Sequence, residues 1–191
     1  MRDELLGATQ PMLSIVLDPG ESVIGEASRF AWMTDSIEMA AADESGVWVY
    51  TAAGEPGVVA FAAQRPGRIV SVQVSPGDEG YLFRRSDFMA RTPGVQVRAD
   101  PAEYARGRWR IGGCGRAWVE LAGDVVRREL TAGQSLRARP EHVGMFDGTV
   151  AIQVTQVHGL PSQNGGHPCA VLSGPGAVWL QSDAASGRAR A

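Results

Sequence analysis

Leu13-Ser14-Ile15-Val16-Leu17-Asp18-Pro19-Gly20-Glu21 and Val70-Ser71-Val72-Gln73-Val74-Ser75-Pro76-Gly77-Asp78 share one pattern: apolar residues at alternate positions, then Pro-Gly and an acidic residue. A fainter copy follows at Val126-Arg127-Arg128-Glu129-Leu130-Thr131-Ala132-Gly133-Gln134. The turn glycines stand 57 and 56 residues apart (20 to 77, then 77 to 133). Alternation with a period of two puts successive side chains on opposite faces of a strand. Pro-Gly followed by a polar residue closes such a strand in a tight turn.

Each copy continues in the same order. Phe30-Ala31-Trp32-Met33 precedes Ile37-Glu38-Met39, Phe88-Met89-Ala90 precedes Val95-Gln96-Val97, and His142-Val143-Gly144 precedes Val150-Ala151-Ile152. The unit therefore reads strand, turn, strand, gap, strand. Periods above 50 residues indicate stacked β units. Alternation recurs at Val47-Trp48-Val49-Tyr50 and at Val150 to Thr155. No window holds an apolar stripe of period 3.6 over three turns; a single helical turn is expected near Arg84 to Ala90, where Ser86-Asp87 offers cap chemistry. The fold class is all-β with little helix, a sandwich or double-stranded β-helix of repeated units.

With 191 residues and 44% apolar composition, the chain is long enough to bury a sizeable core without a metal or disulfide. We expect one compact domain over 12–182, in approximate halves 12–98 and 99–182, between a flexible N-terminus (1–11) and a disordered tail (183–191). The charged start, Met1-Arg2-Asp3-Glu4-Leu5-Leu6, has no apolar core of a signal peptide. The longest apolar and small run, Gly57 to Ala63, is far short of the ~20 residues of a membrane helix. Two cysteines fit a reducing compartment. The expected address is the cytoplasm, with no membrane span.

Several chemistries find no support. All 18 basic residues are Arg, which rules out lysine Schiff-base catalysis and a P-loop lysine. No Gly-x-Ser-x-Gly elbow is present. Ile111-Gly112-Gly113-Cys114-Gly115 lacks the third glycine of a dinucleotide fingerprint and reads as a bulge or tight turn. The metal candidates His142, His158, His167, Cys114 and Cys169 contain a single close pair, His167 and Cys169, where a structural zinc needs four ligands. No catalytic residue, metal or cofactor is assigned, and the chain is read as a non-enzyme.

One feature stands above this background. Residues 84–139 hold twelve Arg and six acidic residues, a net of +6, although the whole chain carries −3. In Tyr104-Ala105-Arg106-Gly107-Arg108-Trp109-Arg110-Ile111, an extended backbone puts Arg106, Arg108 and Arg110 on one face and Trp109 on the other. We expect the arginines in solvent and Trp109 in the core. An exposed arginine row suits phosphates of RNA or acidic lipid, against the plainer reading of a charged edge strand.

Pro66-Gly67-Arg68-Ile69-Val70, Phe88-Met89-Ala90 before Val95, Gly115-Arg116-Ala117-Trp118-Val119, Leu130-Thr131-Ala132-Gly133-Gln134 and the closing Gly174-Pro175-Gly176-Ala177-Val178-Trp179-Leu180-Gln181-Ser182 occur in an order that resembles the altered-inheritance-of-mitochondria protein twenty-four family. The resemblance runs from about Met12 to Ser182. It implies a duplicated version of the tryptophan RNA-binding attenuation protein (TRAP) fold, and homo-oligomers, with the trimer favoured. It brings no catalytic motif to map. Many members carry a longer Gly-rich hairpin where this chain spells Met39 to Ala53. The functional expectation is an oligomeric β scaffold or interaction protein of unknown biochemical role, with the anion-binding module as the alternative.

Overall fold

The computed structural model describes residues 1–42, 46–101, 107–157 and 167–184. Among these residues nineteen strands form four antiparallel sheets. An opening strand, β1 (Arg2–Leu6), is followed by three six-strand units. Unit one holds β2 (Met12–Leu17), β3 (Ser22–Glu26), β4 (Phe30–Met33), β5 (Ile37–Ala41), β6 (Val47–Ala52) and β7 (Gly57–Ala62). Unit two holds β8 (Gly67–Val74), β9 (Tyr81–Arg84), β10 (Phe88–Arg91), β11 (Val95–Ala99), β12 (Arg108–Gly113) and β13 (Gly115–Ala122). Unit three holds β14 (Val125–Leu130), β15 (Ser135–Ala138), β16 (Val143–Asp147), β17 (Ala151–Val157), β18 (His167–Ser173) and β19 (Gly176–Gln181).

The three copies of the opening phrase are the ends of β2, β8 and β14 with their turns. Gly20, Gly77 and Gly133 sit at φ of +80, +91 and +83°. That left-handed backbone favours glycine, which is why the glycine is the element that survives in all three copies. Each unit also makes one 3-10 turn between its second and third strands: Ala27–Arg29, Arg85–Asp87 and Pro140–His142. The turn expected near Arg84 is thus present, but no side chain caps it.

Within every unit the first, sixth and third strands form one ladder and the second, fifth and fourth another. The ladders of consecutive units then join edge to edge. Sheet one is β1-β2-β7-β4, sheet two β5-β6-β3-β10-β13-β8, sheet three β11-β12-β9-β16-β19-β14, and sheet four β15-β18-β17. Three apolar cores fill the three gaps. Leu13, Ile15 and Phe61 of sheet one meet Tyr50, Met89 and Trp118 of sheet two. Val72, Phe88 and Val119 on the other face of sheet two meet Phe83, Ile111 and Trp179 of sheet three. Val143, Phe146 and Val178 of sheet three meet Ala170 and Leu172 of sheet four. Sheets two and three therefore carry a core on each face at their centres, where six consecutive residues of β13, Ala117 to Ala122, are all buried, while β5 and β14 stay largely exposed.

Two expectations change. The repetition divides the chain in three, and a boundary between residues 98 and 99 would cut β11. The expected flexible start instead contains β1, paired along its whole length with β2 from Arg2↔Val16 to Leu6↔Met12. Main-chain pairing at a sheet edge and the anchoring of Asp3 hold it. Of the expected tail, residues 185–191 lie outside the described residues. No helix among the described residues is long and apolar enough to cross a membrane.

Candidate assembly interface

Joining one unit to the next takes two residue pairs of backbone and a dense set of side chains. At the first junction, β10 pairs with β3 through Ala90↔Gly25 and Arg91↔Ile24. At the second, β16 pairs with β9 through Phe146↔Leu82 and Asp147↔Tyr81. In both, the third strand of the later unit lies beside the second strand of the earlier one.

The first junction is closed by buried ions. Glu120 of β13 is 0% exposed and forms an ion pair with Arg29, itself 2% exposed. Its oxygens also accept from the backbone N–H of Gln64 and Arg65, both at 3.0 Å, and from Arg65 Nε at 3.2 Å. Asp87 is equally buried and pairs with Arg65 at 2.8 Å. Arg29 donates a second bond to the Ser86 carbonyl at 2.5 Å. Burial, reinforced by the positive charge of Arg65, lowers the Arg29 pKa to about 10. A buried charge is tolerated only when paired and hydrogen-bonded, and these two carboxylates do that work together.

The second junction uses arginines on neutral carbonyls. Arg84 Nη2 donates to the carbonyls of Pro140, Glu141 and Val143 at 2.8–3.0 Å. Arg108 donates to Val143 and Gly144, both at 2.8 Å, and lies over the Phe146 ring. Burial first, then the charge of Arg84, lowers its pKa to about 10. Gln181 occupies the place that Glu120 holds one unit earlier. It accepts from the Ala122 N–H at 3.3 Å and donates to the Glu141 carbonyl at 3.2 Å.

Of the arginine row, Arg108 and Arg110 fall within the described residues, and neither is fully in solvent. Arg108 and Arg110 are half-buried: carbonyls of unit three face Arg108, and groups of unit two face Arg110. Arg110 bonds Asp100 at 2.7 Å and also reaches the Glu79 carbonyl. Trp109 is likewise only half-buried, with Arg85 5.4 Å from its ring centre. Arg106, with His158, lies outside the described residues. Cys114 is exposed at the β12–β13 turn, and His167 and Cys169 lie on β18. No group of three or more His, Cys, Asp or Glu able to hold a metal occurs among the described residues.

Two ends of the stack are left. β4 is an edge of sheet one, opposite β1, and β15 an edge of sheet four, opposite β17. They are a third strand and a second strand, the same two kinds that pair at each internal junction. Beside β4, Trp32 is 41% exposed, with its Nε1 donating to Met12 Sδ at 3.3 Å. On the same outer face lies Leu6, 40% exposed. Arg139 follows β15 and takes the place of Arg84 before the 3-10 turn; it is largely exposed, paired with Glu141 at 2.7 Å.

Comparison with known proteins agrees with this architecture. The family model described as "Mitochondrial biogenesis AIM24" matches residues 4–183. The crystal structure of protein SPYM3_0169 from Streptococcus pyogenes is similar, with a TM-score of 0.78 at 16% identity, covering 96% of this chain and 94% of that one. At that identity the likeness speaks for the fold. No curated protein matches.

Proposed function

This chain belongs to the mitochondrial biogenesis AIM24 family, and on that footing we propose that it is a non-enzymatic building block which assembles head to tail into a closed homo-oligomer, a trimer being favoured, in the cytoplasm. The observation that carries the reading is the match between two of its sheet edges, β4 and β15. β15 of one copy offers the kind of edge that β3 and β9 offer inside the chain, and β4 of the next copy offers the kind that β10 and β16 offer. Exposed edges and apolar faces are liabilities that soluble proteins cover. A head-to-tail contact that closes on itself covers both at once. In that arrangement sheets four and one merge into a continuous sheet, Trp32 becomes interior, and Arg139 stands toward the 27–29 turn as Arg84 stands toward 140–142. Closure of this kind is also what a TRAP-like fold implies.

Light scattering coupled to size exclusion at micromolar concentration tests it. The expected result is a single species at three times the 20.3 kDa chain mass. Trp32→Arg, a change at an exposed position, should return the protein to the monomer with its circular dichroism intact. A wild-type peak at 20.3 kDa overturns the proposal, and a clean dimer overturns the trimer.

A further inference from the structure

β1 is the one strand outside the threefold pattern. It adds to the outer edge of β2, the first strand of unit one. Its Asp3 pairs with Ile15 and so points inward, across the first core. There it forms an ion pair with Arg116, and it accepts from Trp118 Nε1 at 3.1 Å. Trp118 is 1% exposed, and a buried indole N–H needs such an acceptor.

The same site recurs one unit later without its strand. Trp118 pairs with Ser71, and Trp179 pairs with Arg127, at corresponding places on β13 and β19. Trp179 is 9% exposed, and its Nε1 bonds no described residue and stays open to water. β8, the equivalent of β2, ends sheet two, and no described strand pairs with its outer edge. Tyr81 Oη donates to the Gln73 carbonyl at 3.4 Å, so the polar backbone groups of Ile69, Ser71 and Gln73 point away from β13. The Arg127 guanidinium lies 5.2 Å from the Trp179 ring centre and is more than half exposed. A main-chain edge, an indole donor without an acceptor and a nearby cation are what β1 meets on β2, Trp118 and Arg116.

We infer that the outer edge of β8, above Trp179 and Arg127, is a docking site for an extended acidic segment of another chain, bound as an added strand with one carboxylate turned inward to the Trp179 Nε1. Main-chain bonds give such sites affinity and the alternate side chains give them specificity. The sequence that fits is of the type found in β1, an acidic residue flanked by extended backbone. This site is independent of the β4 and β15 edges, and its occupation requires no particular oligomeric state.

A synthetic peptide of residues 1–7 (Met-Arg-Asp-Glu-Leu-Leu-Gly) is the probe, titrated into the intact protein with the five tryptophan indole N–H signals followed by NMR. Trp179→Phe assigns the relevant signal. The expected result is a saturable shift of the Trp179 signal while that of Trp118 stays in place. Asn in place of the peptide's Asp should weaken binding by about tenfold, the scale of a lost charge-assisted bond. Ser71→Pro removes an outward donor of β8 and leaves the bonds to β13 intact, so it should abolish the shift; Arg127→Glu, at an exposed position, does the same should the proline variant fail to fold. No shift at millimolar peptide overturns the inference. So does a shift of Trp118 alone, which would mean exchange with β1, or binding unchanged in both β8-site variants.

Discussion

The two junctions between units share a backbone rule and differ in chemistry. At the first, Glu120 and Asp87 gather Arg29 and Arg65 into a buried ionic cluster. At the second, Arg84 and Arg108 serve backbone carbonyls, and Gln181 stands where the carboxylate was. The cluster is balanced charge against charge, so removing one member strands another. The carbonyl junction leans less on buried charge: Asp87 stands 3.8 Å from Arg84, but the groups that Arg84 and Arg108 serve across the seam are carbonyls, and a carbonyl left without its arginine is a neutral loss. Repeated architecture thus fixes where strands meet and leaves open which polar groups seal the seam.

Unequal losses across the seam follow from that contrast. Glu120→Ala should cost about 3–5 kcal/mol in denaturant unfolding, since Arg29 is left buried and unpaired. Gln181→Ala, the corresponding change at the second junction, should cost about 1–3 kcal/mol, the price of neutral donors and acceptors left unmet. Equal losses would dissolve the distinction between the junctions. Arg108→Met should cost about 1.5–3 kcal/mol, the range for a hydrogen bond to a charged group. A double-mutant cycle of Glu120→Ala with Arg29→Met should return a coupling of about 1–3 kcal/mol, whereas Gln181→Ala with Arg108→Met should couple by less. A coupling near zero in the first cycle would mean that the ion pair adds nothing beyond its separate parts.

The smallest effect concerns pH. Burial raises the Asp147 pKa above its ordinary 3.8, although the Ala177 N–H bonded to it acts in the other direction. The folded state then binds its proton more readily than the unfolded chain does, so this group's contribution to stability falls as pH rises through the window above 3.8. Asp147→Asn keeps an acceptor for Ala177 and removes the ionisation. Relative to wild type it should gain stability at pH 7 by less than about 1 kcal/mol, given partial solvent screening, and the gain should shrink toward pH 4. A gain that grows on acidification would reverse the assignment.

How far the sequence reaches is clear from particular residues. The turn glycines at 20, 77 and 133 carry their conformational need openly, and the first strand of each unit is read correctly from them. Alternation also locates β8 and β11. What alternation does not tell is whether the second face of a strand meets water. Sheets two and three are covered on both sides at their centres, so Arg108 and Arg110 turn toward protein, and the long buried run of β13 shows no alternation at all. The division into thirds was present in the glycine spacing, but the remaining strands of each unit share too little sequence to mark the unit ends. Arg29 and Glu120 carry no such mark, and Asp87 reads as a helix cap rather than as a buried ion. The available signal was Glu120 itself, a single carboxylate inside Ala117-Trp118-Val119-Glu120-Leu121-Ala122, since a lone charge within an apolar run must find a buried partner.

The sharing of sheets between units has a consequence for synthesis on the ribosome. Ile24 and Gly25 of β3 wait for Arg91 and Ala90, 67 and 65 residues further along the chain. At the roughly 5–20 residues per second of translation, that partner follows about 3–13 s later. Through that interval the nascent chain presents an unpaired edge and an uncovered face at Val47 and Ile24, and when β10 arrives it closes this edge while unit two opens the next, at β9. Each of the first two units is thus finished by its successor, while β15 of the third has, among the described strands, a neighbour on one side only.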